Sequence, residues 1–109
     1  MRESAILAKM QALVRENRIL VSAHGYDEMA ADGISSEDAL AGLLTAEAIE
    51  EYPDAAKGPT VLVLEYDSSG EVLHVVWGVP KGFDGPAVLV TAYRPDPEQW
   101  SDDLRRRKK

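Results

Sequence analysis

"TVLVLEYDSSGEVLHVVWGV", residues Thr60 to Val79, decides the fold class. From Thr60 to Tyr66 and again from Glu71 to Val79 the chain is dense in Val, Leu and aromatic residues, and Asp67-Ser68-Ser69-Gly70 separates the two runs. β-Branched side chains lose rotamer freedom in a helix and pack well on a pleated surface. Asp, Ser and Gly supply the local hydrogen bonds and the positive φ of a tight connection. Two such runs around such a turn predict an antiparallel hairpin over 60–66 and 71–79.

Downstream, "PKGFDGP" reads as a loop and "AVLVTAYR" as a further antiparallel strand over 87–94. Pro95 stops that strand ahead of a final helix near 97–106. Upstream, "AIEEY" reads as an edge strand ended by Pro53. Before residue 46 the period is helical. Ile6, Met10, Leu13 and Val14 form one apolar stripe and predict a helix over 3–17. After the short link "RILV", Ser22 caps a helix over 22–32 that Gly33 closes, and Ser35 with Asp38 opens another over 36–44 with Leu40, Leu43 and Leu44 facing inward. The fold class is α+β: N-terminal helices packed on a small antiparallel sheet, closed by a C-terminal helix.

At 109 residues the chain is read as one domain, with a hydrophobic fraction of 45% and a charged fraction of 28%. Cysteine is absent, which excludes disulfides, thiolate metal sites and cysteine nucleophiles. No apolar run approaches the roughly 18 residues that span a bilayer, and charge interrupts "MRESAILAKMQALVREN" where a signal peptide is apolar, so the expectation is a cytoplasmic protein without membrane attachment. The net charge of −7 hides an asymmetry: the basic tail 105–109 holds five of the twelve Lys and Arg, leaving residues 1–104 with seven against nineteen Asp and Glu, a net −12. Such a body repels phosphate backbones at long range and attracts basic partners. The tail reads as a solvated end that is also suited to RNA or an acidic partner.

Two histidines are candidates for chemistry. His24 stands at i, i+3 and i+4 with Asp27 and Glu28, so one helical turn brings an imidazole beside two carboxylates, an arrangement that suits a general acid or base. A solvated helix face with an exposed ion pair is the plain alternative. His74 lies among valines in "EVLHVVWG", as a satisfied core histidine would. If "PKGFDGP" pairs Val79 with Pro86, however, His74 faces Thr91 with Tyr93 diagonal on the same face, a polar cluster on an apolar sheet. In "TAYRPDPEQW", Arg94 suits phosphate or carboxylate, with pairing to Asp96 or Glu98 as the alternative, and Trp100 packs the last helix onto the sheet. Glycine-rich phosphate loops, zinc-spaced ligands and a nucleophile elbow are missing, so neither a metal nor a cofactor is expected.

"SAHGYDEMAADGISSEDAL", "IEEYPD", "GEVLHVVWGV" and "VTAYRPDPEQW" together resemble an uncharacterised bacterial family, domain of unknown function 4258, over about residues 22–100. There a "His-Ala-x-x-Arg-Met-x-x-Arg-Gly-Ile" helix precedes a "Leu-His-Val" strand and a closing "Thr-x-Tyr-x-Pro-Asp" strand. Members resemble toxins of the RelE and barnase-like superfamily, often encoded beside zinc-finger antitoxins. The resemblance implies a metal-independent endoribonuclease of a toxin–antitoxin system, with RNA and a cognate antitoxin as partners. Carried over by position, His24 and His74 are acid or base, Tyr93 an orienting or proton-donating phenol, and Arg94 the cation on the phosphate, with Asp27 and Glu28 tuning His24. The chain departs from the pattern in three places. Glu28 and Asp32 stand where the family helix has arginines, and Gly25 where it has alanine. That double charge reversal agrees with the acidic body and leaves a second reading: a non-catalytic acidic binding module, like an immunity protein or antitoxin, that engages a basic protein.

Overall fold

The computed structural model describes residues 4–108. Three helices come first, α1 (Ala5–Arg15), α2 (Ala23–Ala31) and α3 (Ser36–Leu43), with a short strand β1 (Ile19–Val21) between the first two. Four strands follow: β2 (Glu47–Tyr52), β3 (Thr60–Tyr66), β4 (Val72–Gly78) and β5 (Ala87–Tyr93). The sheet order is β1-β5-β4-β3-β2.

Serines open all three helices. The hydroxyls of Ser4, Ser22 and Ser35 accept the backbone N–H of Leu7, Gly25 and Asp38 respectively, satisfying donors that a first turn leaves unpaired. The start expected for α1 at residue 3 lies outside the described residues. α2 ends as expected, with Gly33 at φ 67. The β3–β4 hairpin also follows expectation, pairing from Thr60 opposite Gly78 to Tyr66 opposite Val72. In its turn Asp67 Oδ1 accepts from the N–H groups of Ser69 and Glu71 at 2.8 and 2.9 Å, and Gly70 supplies φ 83.

Four expectations are corrected. The link "RILV" contains β1, which runs parallel to β5 with Ile19 opposite Ala87, so the sheet is mixed and not wholly antiparallel. Three residues are too few to show alternation, and an otherwise open edge of β5 recruits them. No helix forms over 97–106. One turn closes on Asp96, then Ser101 and Asp103 take the N–H groups of Arg106 and Arg105, Leu104 adopts φ 61, and Trp100 bridges Arg107. Short polar side chains that bond the nearby backbone compete with helix, and Pro95 and Pro97 remove donors. Leu44 is exposed, because α3 stops at Leu43. Finally, Trp77 lies opposite Leu89 and Val76 opposite Thr91, so Val79 does not pair with Pro86 in the expected register and Val90 is an extra, bulged residue. The slip alone would turn Tyr93 away from His74. The bulge turns it back, so that the two are directly opposite on one face.

The helices cover one face of the sheet. Met10, Leu13, Met29 and Leu43 pack there against Val61, Val63, Leu73, Val75, Trp77 and Leu89 in one buried cluster. Strand alternation sends Leu62, Leu64 and His74 to the opposite, outer face, where residues 95–108 form a strap over them. No helix among the described residues is long and apolar enough to cross a membrane.

Candidate functional site

The outer face beneath the strap holds a cluster of polar side chains around His74. His74 is fully buried there. Its Nε2 lies 2.8 Å from the carbonyl oxygen of Leu104 and its Nδ1 3.3 Å from the Tyr93 hydroxyl. A carbonyl can only accept, so Nε2 carries the proton, and Nδ1 is left to accept from the phenol. Tyr93 and Trp100 meet the imidazole edge to face, at centroid separations of 5.4 and 4.4 Å. Burial lowers the His74 pKa, with the Leu104 carbonyl and Glu50 opposing it, and burial likewise raises that of Tyr93. The imidazole is therefore neutral near pH 7.

Beside this pair, β2 contributes carboxylates. Ile49 is a bulge: Ala48 lies opposite Val63 and Glu50 opposite Leu62. Glu47 and Glu50 consequently reach the same outer face, although i and i+3 alternate in a regular strand. Arg107 binds Glu50 through two N–H groups at 3.0 and 3.1 Å, and its guanidinium lies 4.6 Å from the Trp100 ring centroid. Arg105 binds Glu47 at 2.7 Å, and the Tyr52 hydroxyl donates to Glu50. Burial alone would raise the Glu50 pKa, but the bonds from Arg107 and Tyr52 outweigh it and hold the carboxyl below its ordinary range. The bond from Arg105 does the same for Glu47. The basic tail is thus seated on the sheet through Arg105 and Arg107, not a solvated end; Lys109 lies outside the described residues.

Of the four residues nominated as catalytic, His74 and Tyr93 come together while His24 and Arg94 lie elsewhere, and of the two nominated to tune His24 it is Glu28 that meets it. Arg94 pairs neither with Asp96 nor with Glu98. Its Nη2 lies 3.2 Å from Asp67, its backbone N–H donates to the Asp32 carboxylate at 2.9 Å, and its Nε to the Asp32 carbonyl at 3.3 Å. Asp32, a charge reversal against the family pattern, is therefore the clamp on Arg94. His24 projects from the first turn of α2 with its side chain 65% exposed and its Nε2 3.5 Å from Glu28. Asp27 is exposed beside it. Eight residues of helix, about 12 Å, separate His24 from Asp32. The other departure, Gly25, has a steric reason: a Cβ there would stand 3.0 Å from the Leu89 carbonyl oxygen, so glycine lets α2 press on β5. Trp100 does pack on the sheet, though from a strap and not a helix.

Sequence reasoning missed Glu47, Glu50, Tyr52, Arg105 and Arg107. The available signal was the run of glutamates in "EAIEEY" together with the alternate arginines of "RRR", but nothing local announces the bulge that aligns them. It also missed Glu65, fully buried on the helix face. Glu65 Oε2 accepts from the Trp77 indole N–H at 3.1 Å, its Oε1 has no partner, and burial pushes its pKa up to about 8. A separate apolar groove of about 340 Å³ lies on the uncovered part of the outer face, lined by Thr60, Gly78, Val88 and Val90 with Ser22 and Lys57 at its rim. Among the described residues no group of three or more His, Asp or Glu is placed to hold a metal ion.

Chemically, the strap cluster seats two guanidinium groups of its own chain on the β2 carboxylates and holds a neutral histidine bonded at both ring nitrogens. Comparison with known families matches residues 21–94 to the family described as Domain of unknown function (DUF4258). No curated protein and no solved structure matches the chain.

Proposed function

The chain belongs to that family, and from that premise we propose that it is a non-catalytic acidic binding module, immunity- or antitoxin-like, which acts in the cytoplasm on a basic protein partner. One observation carries the reading: His74 is fully buried with both ring nitrogens bonded, while His24 and Arg94 lie elsewhere. A general acid or base must come within hydrogen-bond reach of its substrate, about 3 Å, and His74 is spent on its own chain. The net −12 over residues 1–104 further disfavours a phosphate backbone. The test is incubation of purified protein with total RNA. No cleavage above background is expected, and His24→Ala should change nothing. Cleavage that disappears in His24→Ala or His74→Gln would overturn the reading.

A second reading, a metal-independent endoribonuclease of a toxin–antitoxin system on a RelE- or barnase-like scaffold, has its own supporting observation. His74, Tyr93, Glu50 and Arg107 share one face, which supplies an acid–base pair, a phenol and a cation. It requires the strap to lift. Growth arrest on induction, with RNA degraded in the same cells, would favour it over the binding module.

A further inference from the structure

We infer that Glu47 and Glu50 of β2 form a docking site for an arginine-rich segment of a partner protein with Arg-x-Arg spacing, and that Arg105 and Arg107 occupy it as a built-in competitor. The inference rests on the binding reading above and names the site and the partner's chemistry. The site is constructed and not merely acidic. A one-residue bulge at Ile49 brings the two glutamates to one face, Tyr52 donates to Glu50, and Trp100 offers an aromatic surface under the guanidinium. A paired carboxylate and an aromatic face are the two features that recognise arginine over lysine, because the planar fork binds two oxygens at once and stacks.

The occupant is already visible in cis. Two arginines spaced i, i+2 reach the two glutamates, one of them in a bidentate manner. Their hold is weak: the Arg107 side chain is 59% exposed and that of Arg105 34%, and exposed ion pairs are screened by salt. Exchange requires residues 105–108 to leave, which breaks the backbone bonds from Ser101 N–H to the Arg106 carbonyl and from Lys108 N–H to the Gln99 carbonyl as well as the two ion pairs. The acidic body concentrates a basic partner near the site before it competes.

The probe is a labelled peptide with the chain's own sequence 101–109, titrated into the full chain and into Arg105→Gln/Arg107→Gln, whose tail no longer competes. The released chain should bind about tenfold or more tightly than the wild type, the scale of one good charge-assisted pair. Adding Glu47→Gln/Glu50→Gln should abolish that binding, and a peptide with lysine for every arginine should bind about tenfold more weakly. Circular dichroism and a thermal melt establish that each chain is folded, and if the double variant is unfolded the single Arg107→Gln chain serves for the same comparison. A folded, released chain that binds no better than the wild type overturns the inference. So does binding that survives loss of both glutamates or is indifferent to lysine. RNA cleavage would refute the binding-module reading and leave this peptide result intact, so the two failures are separable.

Discussion

The two faces of the sheet are closed by different means. The helix face is sealed by apolar area: Trp77, Leu73, Val75 and Val63 are fully buried against three helices. The outer face is sealed at one end by a strap whose rim contacts are ion pairs and whose centre is an imidazole bonded to a backbone carbonyl. Each buried aliphatic or aromatic side chain on the first face stabilises by about 1.5–3 kcal/mol, and each exposed ion pair on the second by about 0–1. One face therefore holds the molecule together. Only the rim of the other face can exchange its contacts at little cost, because Leu62, Leu64, His74 and Trp100 beneath the strap are buried as well.

The contrast can be broken at four points. Trp77→Ala should cost most, about 3–5 kcal/mol, because it opens a cavity in the helix-face core and strips Glu65 of its hydrogen-bond donor. Denaturant unfolding measures it, and a loss under about 1 kcal/mol would show that the helix face is not the main source of stability. Glu65 sharpens the same face. Its folded pKa of about 8 stands above the unfolded 4.5, so the folded state keeps a proton that the unfolded state has lost. Stability from this group is full below pH 4.5 and falls as pH rises toward 8, by about 3 kcal/mol at pH 7. Glu65→Gln should remove that slope, and melts of both proteins at pH 5 and pH 8 should show the variant gaining on the wild type with rising pH. An unchanged difference would mean that Glu65 titrates normally.

On the outer face, His74→Ala should cost about 1–3 kcal/mol, since it leaves the Leu104 carbonyl and the Tyr93 hydroxyl without their partner. Arg107→Gln should cost least, about 1 kcal/mol or less, and raised salt should erase the difference from the wild type. A larger, salt-insensitive loss would make the strap part of the core and remove the contrast.

What the sequence disclosed follows from the range of each signal. The β3–β4 hairpin was legible because its turn chemistry is local, α1 because Met10 and Leu13 recur at helical spacing, and α2 and α3 because Ser22 and Ser35 act within three residues of themselves. Ile19–Val21 was not, because a three-residue strand has meaning only against β5. The last helix was misread because Pro95 and Pro97 read as a strand stop and a helix start, while Asp96, Ser101 and Asp103 each bond the backbone beside them and compete with a helix. His74 and Tyr93 were placed on one face through a register that does not occur. Glu50 and Arg107 meet across 57 positions of chain, and no local pattern encodes that.

The bulges at Ile49 and Val90 flank the central hairpin, one in each neighbouring strand. Each rephases its strand, so that the polar residues beyond it share the outer face. Deleting Ile49 or Val90 would remove only the extra residue and leave Glu47 opposite Leu64 and Tyr93 opposite His74, whereas straightening either strand with that residue kept would send Glu47 or Tyr93 to the helix face. The outer-face constellation thus depends on where each strand bulges, and loss of the bulged residue itself leaves it intact. A one-residue gap at position 49 or 90 would therefore mark the loss of a bulge and not of the surface it serves.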